Sequence, residues 1–253
     1  MTDPFKKNHY PELTKAGGLD VGLDNTFKTI NSELRVDPQD EEWPFDYARV
    51  GLDNKFSQIY IAQNEKLYLP DYWRDGVCLA NGHVSDIKEL AKSIDYWINN
   101  DISINELNSI FGFVRPNVDS LHFDNGNEVE HMWNQFLENG SEELKPFIQL
   151  AIDDEVVNKL FPFTSLFTLC FSRCTGYPYD SKGLPSVTTK TNSWTLPKRD
   201  NLKGKSDSDS SIFIVTKNKT EYIGEGSAND ALRLVKEHLP PNIEKARKGT
   251  AEE

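Results

Sequence analysis

"LFPFTSLFTLCFSRCTGYPY", residues 160–179, decides how the second half of this chain folds. Leu166 to Phe171 reads as a strand without apolar–polar alternation, and such a strand is expected to be covered on both faces. The turn formers Thr175, Gly176, Tyr177 and Pro178 then end it. Two of the three cysteines, Cys170 and Cys174, sit here four residues apart, on one side of an extended strand. Their spacing is too wide for a thioredoxin-type redox pair, and they lack the second ligand pair that a structural zinc site needs. Free cysteine is among the most often buried residue types. Cys170 is therefore expected to be core filling, and Cys174 to lie at the corner of the strand.

Beyond this strand, "PKRDNLKGKSDSDSS" at 197–211 has Leu202 as its one apolar anchor and reads as a mobile linker. "SIFIVTKNKTEYIGEG" reads as a hairpin turning at "KNK". Ser227 then caps a final helix carrying Ala228, Ala231, Leu232, Val235 and Leu239. The charged residues after Pro240 and Pro241 read as a loose tail.

Upstream, the pattern turns helical. "EVEHMWNQFLEN" sets Val129, Met132, Trp133, Phe136 and Leu137 on one stripe, and "SEELKPFIQLAIDDEVVNKL" continues in helical character from an expected cap at Ser141. Ser103 and Glu106 make a capping box for a short helix with Ile104, Leu107, Ile110 and Phe111 inward. Ser85 is the expected N-cap of a longer helix whose Ile87, Leu90, Ala91, Ile94 and Ile98 build one apolar face. Before it, "FSQIYIA", "KLYLPDYW" and "GVCLANG", separated by "QNE" and "RDG", have the spacing of an antiparallel meander. Residues 34–45, with two prolines and an acidic cluster, form a loop, and Leu19, Leu23, Phe27 and Ile30 mark a helix ahead of it.

These elements predict an α+β fold: antiparallel β-meander and β-hairpin segments with a central helical region. The expected organisation is one unit over 1–253. Within it the sub-lobes are 1–100 (helix, meander, helix), 101–160 (helical) and 161–240 (β-rich with a C-terminal helix), and 241–253 is the loose tail. "VGLDN" recurs at 21–25 and 50–54, once in a helical pattern and once before a strand, so it is not a propagated repeat. Gly82, Ser85 and Leu90 share their spacing with Gly224, Ser227 and Leu232. Two related β-plus-helix halves and simple capping chemistry both account for that rhyme.

Composition excludes several classes. With 253 residues, 37% of them apolar, the chain can bury a sizeable core. A mean hydropathy of -0.59 and the lack of any long apolar run exclude a membrane-spanning helix. The N-terminus has no apolar stretch or small-residue cleavage site of a secretory signal, and three cysteines are too few for a disulfide scaffold, so the chain is expected in the cytoplasm. The net charge of -12, from 40 acidic and 28 basic residues, argues against nucleic acid and anionic lipid, which need clustered Lys and Arg.

No catalytic or cofactor constellation is legible. The five histidines lack paired ligand spacing, and a solvated surface explains His122 with Asp124 and His131 with Glu128 more simply than a metal does. "NGH" and "GEG" fit no phosphate-binding loop. Asp153, Asp154 and Glu155 read as a solvated face or helix-start charges. No metal and no cofactor are expected, and no enzymatic activity. What remains is an acidic surface bearing large side chains: Asp37, Asp40, Glu41, Glu42 and Trp43 in the loop, and Tyr72, Trp73 and Asp75 near the "RDG" turn. Such mixtures make hot spots when a partner desolvates them; the other reading has Trp43 and Trp73 plugging the core.

"HYPELTKAGGL" (9–19), "YWRDGVCLANGHVSDIKELAKSIDYW" (72–97), "LFPFTSLFTLCFSR" and "GEGSANDALRLVKEHLPPNIEKARKGTAEE" (224–253) together resemble an uncharacterised bacterial domain-of-unknown-function family. The resemblance implies one family-wide unit and brings no established activity; it is similar in kind to accessory members of toxin or natural-product loci. With the acidic charge, it leads to the expectation of an immunity protein that neutralises a cognate toxin by direct binding, the partner being a basic toxin or effector domain. The alternatives are an enzyme or small-molecule binder assembled from distant residues, such as an accessory protein of natural-product biosynthesis, and a scaffold that oligomerises through strand edges.

Overall fold

Antiparallel pairing between strands adjacent in sequence organises both halves of the chain. The structure, a computed structural model, describes residues 9–38, 45–192 and 212–252. It divides into two compact units, Met1–Asn125 and Gly126–Glu253, each holding a five-stranded antiparallel sheet in sequential order. The fold is α+β, as the sequence predicts. Helices assigned from sequence to a central lobe over 101–160 are shared between the units, because the division falls at residue 125.

In the first unit, helices α1 (Pro11–Ala16) and α2 (Leu19–Thr29) precede strands β1 (Tyr47–Leu52), β2 (Lys55–Ile61), β3 (Tyr68–Arg74) and β4 (Val77–Gly82). Helices α3 (Ile87–Asn99) and α4 (Ile104–Ile110), strand β5 (Val114–Pro116) and α5 (Ser120–Asn125) follow. The expected three-stranded meander gains β1 and β5 at its two edges. Strand β5 is only three residues long, too short to carry an alternation signal of its own, and it pairs with β4 after two intervening helices. Asp75 and Gly76, both at positive φ, close the β3–β4 hairpin.

Alternation gives the sheet two unlike faces. Ile59, Ile61, Tyr68 and Tyr72 point into the core, which also holds Leu23 and Phe27 of α2 and Leu90, Ile94 and Trp97 of α3. The Tyr72 hydroxyl meets that of Ser93 at 2.7 Å, and the Trp97 indole N–H donates to the Trp73 carbonyl at 3.3 Å. The Tyr10 hydroxyl, ahead of α1, lies 2.9 Å from the carbonyls of Glu65 and Leu67 and accepts the Leu67 N–H at 2.8 Å, pinning α1 to the β2–β3 loop. Lys55 also points inward: its ammonium donates to the Asn100 carbonyl at 2.7 Å over the Trp97 ring, and burial, then Arg74, lowers its pKa.

Two helix expectations shift here. Asp86, not Ser85, caps α3, because its carboxylate accepts the N–H groups of Lys88 and Glu89. Ile110 is 51% exposed and not inward, since α4 ends on it after only two turns. The Ser103–Glu106 capping box forms as expected.

The second unit opens with α6 (Glu128–Asn139) and α7 (Lys145–Ile152), followed by β6 (Phe161–Ser165), β7 (Thr168–Ser172), β8 (Pro185–Thr189), β9 (Phe213–Lys217), β10 (Glu221–Gly226) and α8 (Ala228–His238). One sheet face packs Leu169, Phe171, Val187 and Val215 together with the helices, through ring contacts of Trp133 with Phe171 at 6.0 Å and Phe147 with Phe213 at 6.1 Å. Ser227 and Asp230 form a capping box for α8, and Asn218 and Lys219 turn the β9–β10 hairpin at positive φ.

The opening motif folds differently from its first reading. Leu166 and Phe167 are not strand residues; they form an exposed two-residue turn, 74% and 56% accessible, that joins β6 to β7. The remainder, Leu169 to Phe171, is buried on both faces as expected. Ser141 does not cap α7: it starts a turn, and Leu144 takes the cap position without a side-chain bond, Pro146 supplying the helix start instead. The tail expected to be loose runs along the corner after β7. Arg247 N–H donates to the Arg173 carbonyl, Thr175 N–H to that of Arg247, Gly176 N–H to that of Gly249, and Ala251 N–H to that of Pro178. Backbone pairing of this kind needs no apolar signal in sequence. The expected linker, 197–211, lies outside the described residues. The Gly–Ser–Leu rhyme does not extend to the structure: Ser227 caps α8 whereas Asp86, not Ser85, caps α3, and β4 is interior whereas β10 is an edge strand. Among the described residues no helix is long and apolar enough to cross a membrane.

Burial raises the pKa of Tyr10, Tyr68 and Tyr72, and the Glu12 charge adds to the effect at Tyr68 and Tyr10. Unfolded tyrosine titrates near about 10, so the stability these three contribute is complete below that pH and is lost as pH rises above it. Tyr47 and Tyr179, also raised by burial, act in the same direction, and Lys55, with its lowered pKa, acts against them. The urea midpoint is expected to hold between about pH 7 and 8, to fall slightly from about pH 8.5 as the thiols of Cys78 and Cys170 ionise first in the unfolded chain, and to fall more steeply above about pH 10. The fall should be shallower in the Tyr68→Phe, Tyr72→Phe double variant.

Candidate binding face

The second face of the first unit's sheet collects residues that β-alternation turns away from the core. Register pairs Tyr47 with Tyr60, Arg49 with Gln58, Phe56 with Trp73 and Asp71 with Asn81. Aromatic rings in directly opposed positions stack, and here Phe56 and Trp73 lie 5.3 Å apart and 11° from parallel. The Arg49 guanidinium sits 4.3 Å over the Phe56 ring and pairs with the Asp37 carboxylate. Asp37 is itself placed by its backbone N–H, which donates to the Arg49 carbonyl at 2.7 Å. The result is a continuous row, Asp37–Arg49–Phe56–Trp73, with Tyr60 44% exposed alongside it.

This row joins two of the residues singled out from sequence, Asp37 and Trp73, through two that sequence reading passed over. Arg49 and Phe56 carried a signal only in their strand register, which a single sequence does not fix. Tyr72 is fully buried and belongs to the core. Asp75 lies in the β3–β4 turn, where it accepts from the Asn54 amide and lies 3.9 Å from the Arg74 guanidinium. Asp40, Glu41, Glu42 and Trp43 lie outside the described residues. The Trp73 indole N–H is shielded from solvent and has no acceptor among the described residues.

The other candidates resolve into packing and pairing. Asp124 is held by Arg74, and among the described residues no group of three His, Cys, Asp or Glu could hold a metal ion. Burial pushes Asp154 up, but Lys236 at 2.6 Å and the N–H groups of Val156 and Val157 outweigh it and hold the carboxyl below the usual range. Cys174 lies at the corner, fully buried, bonded to the Ser172 hydroxyl at 3.4 Å and to the Asp180 N–H at 3.2 Å. Cys170 is 2% exposed, and burial pushes its thiol up to about 11. Cys78, on the second face of the first sheet, is also pushed up to about 11, by burial and then by Asp71.

Fold and site together define an α+β protein of two antiparallel meanders, one of which presents an aromatic row. Residues 127–250, most of the second unit, match the model of a family described as "Family of unknown function (DUF6193)". The blocks at 9–19 and 72–97 fall outside that match. No curated protein and no solved structure matches the chain.

Two thiols with raised pKa values and one fully buried predict slow native labelling. Ellman's reagent at pH 8 is expected to react about two orders of magnitude more slowly with the native chain than with the urea-unfolded chain. Rapid native reaction at Cys174 would contradict its assignment as filling.

Proposed function

We propose that this chain is a non-enzymatic binding protein whose first unit captures a basic protein on the second face of its sheet. Its setting would be the bacterial cytoplasm, and its role that of an immunity protein against a toxin or effector domain. The observation that carries the reading is the Asp37–Arg49–Phe56–Trp73 row in the more acidic half of the chain. Residues 1–125 hold 21 acidic and 12 basic side chains, against 19 and 16 in residues 126–253. An excess of one sign steers an oppositely charged partner to encounter, while stacked aromatics and arginine supply the anchors that hold it.

The test is co-purification and stopped-flow binding with the protein encoded beside this chain's gene. A stable complex is expected, with an association rate that falls about tenfold or more between low and high salt. Trp73→Ala should weaken binding by about 2 kcal/mol or more, and Arg49→Ala, at a side chain 39% exposed, by about 1 kcal/mol or more. A salt-independent rate, or full affinity in both variants, would overturn the assignment.

A further inference from the structure

The second unit contains a cleft of about 200 Å³ that plays no part in the binding face. Its floor comes from strand register: Cys170 of β7 and Ser186 of β8 are directly paired, and the Ser186 hydroxyl meets that of Thr216 at 2.9 Å. Leu184 and Pro185 form an apolar wall. Lys182 and Lys219, both exposed and contributed by different segments, also line it. The Asn218 side-chain oxygen accepts the Gly183 N–H at 3.1 Å, which ties the β9–β10 turn to the loop bearing Lys182.

Neither ammonium has a hydrogen bond or ion pair among the described residues; the Lys219 ammonium lies 5.8 Å from the Phe163 ring. The second unit is nearly balanced in charge, 19 acidic to 16 basic residues, and these two lysines stand unpaired beside one small cleft. The floor does not neutralise them: Ser186 is engaged with Thr216, and the Cys170 thiol, pushed up to about 11, is uncharged at neutral pH. The volume exceeds that of a few waters, at about 30 Å³ each, and falls below the roughly 300–1,000 Å³ of nucleotide and drug-sized sites.

We propose that this cleft binds a small organic anion, a carboxylate or phosphate monoester, with its charge between Lys182 and Lys219 and its apolar body against Leu184 and Pro185. The proposal is independent of the protein-binding role, since no residue of the first unit takes part.

The test is a ¹⁵N NMR titration of the full chain with benzoate, with phenyl phosphate and with benzamide as the uncharged analogue. Saturable shifts are expected at the amides of Leu184, Ser186 and Lys219 with one or both anions, the stronger identifying the headgroup, and none with benzamide. The Lys182→Gln, Lys219→Gln double variant should lose affinity at least tenfold at unchanged Tm, whereas Lys88→Gln in the first unit should not. Non-saturating shifts, an equal response to benzamide, or unchanged affinity in the double variant would each overturn the site.

Discussion

The period-two alternation of an antiparallel ladder is the constraint on which both units depend. Once neighbouring strands pair in register, every second side chain is committed to one face or the other. In the first unit the covered face takes Ile59, Ile61, Tyr68 and Tyr72, and the other is left with Arg49, Phe56, Asp71 and Trp73. A one-residue slip of β2 would bury Phe56 and turn Ile59 outward. The aromatic row is thus a by-product of the same register that makes the core.

The second unit solves its other face differently. There the row Phe163, Cys170, Ser186 and Thr216 is built from one ring and small side chains, and the loop after β7 returns over it. Tyr179 stacks on Phe163 at 4.3 Å, and the C-terminal segment bonds to the backbone of the corner that carries Tyr179. Small residues on a covered face leave space unless the covering loop fills it. The cleft between Cys170, Ser186 and Lys219 lies where it does not.

Charge and thiol chemistry follow from burial. Cys78 and Cys170 sit where desolvation disfavours a thiolate, and Cys174 is fully buried at the corner, so the thiols serve as small fillers. Two cations of the first unit that enter the interior, Lys55 and Arg74, are held by a carbonyl, a carboxylate and the Trp97 ring. A buried cation is tolerated only with such partners.

Local signals in the chain set the fold class, the helical stripes of α2, α3, α6 and α8, the capping box at Ser103, the cap at Ser227 and the hairpin turns within Arg74–Gly76 and Lys217–Lys219. They are written within four residues of one another in the physics of capping and φ preference. Tertiary structure alone decided that Leu166 and Phe167 form a turn and that Tyr72 faces in while Trp73 faces out. It likewise set the last residues along the corner after β7 and joined Asp37 to Trp73 through Arg49 and Phe56. Each of these depends on which residue stands opposite which across a ladder, and pairing between distant segments leaves no trace in the composition of either one.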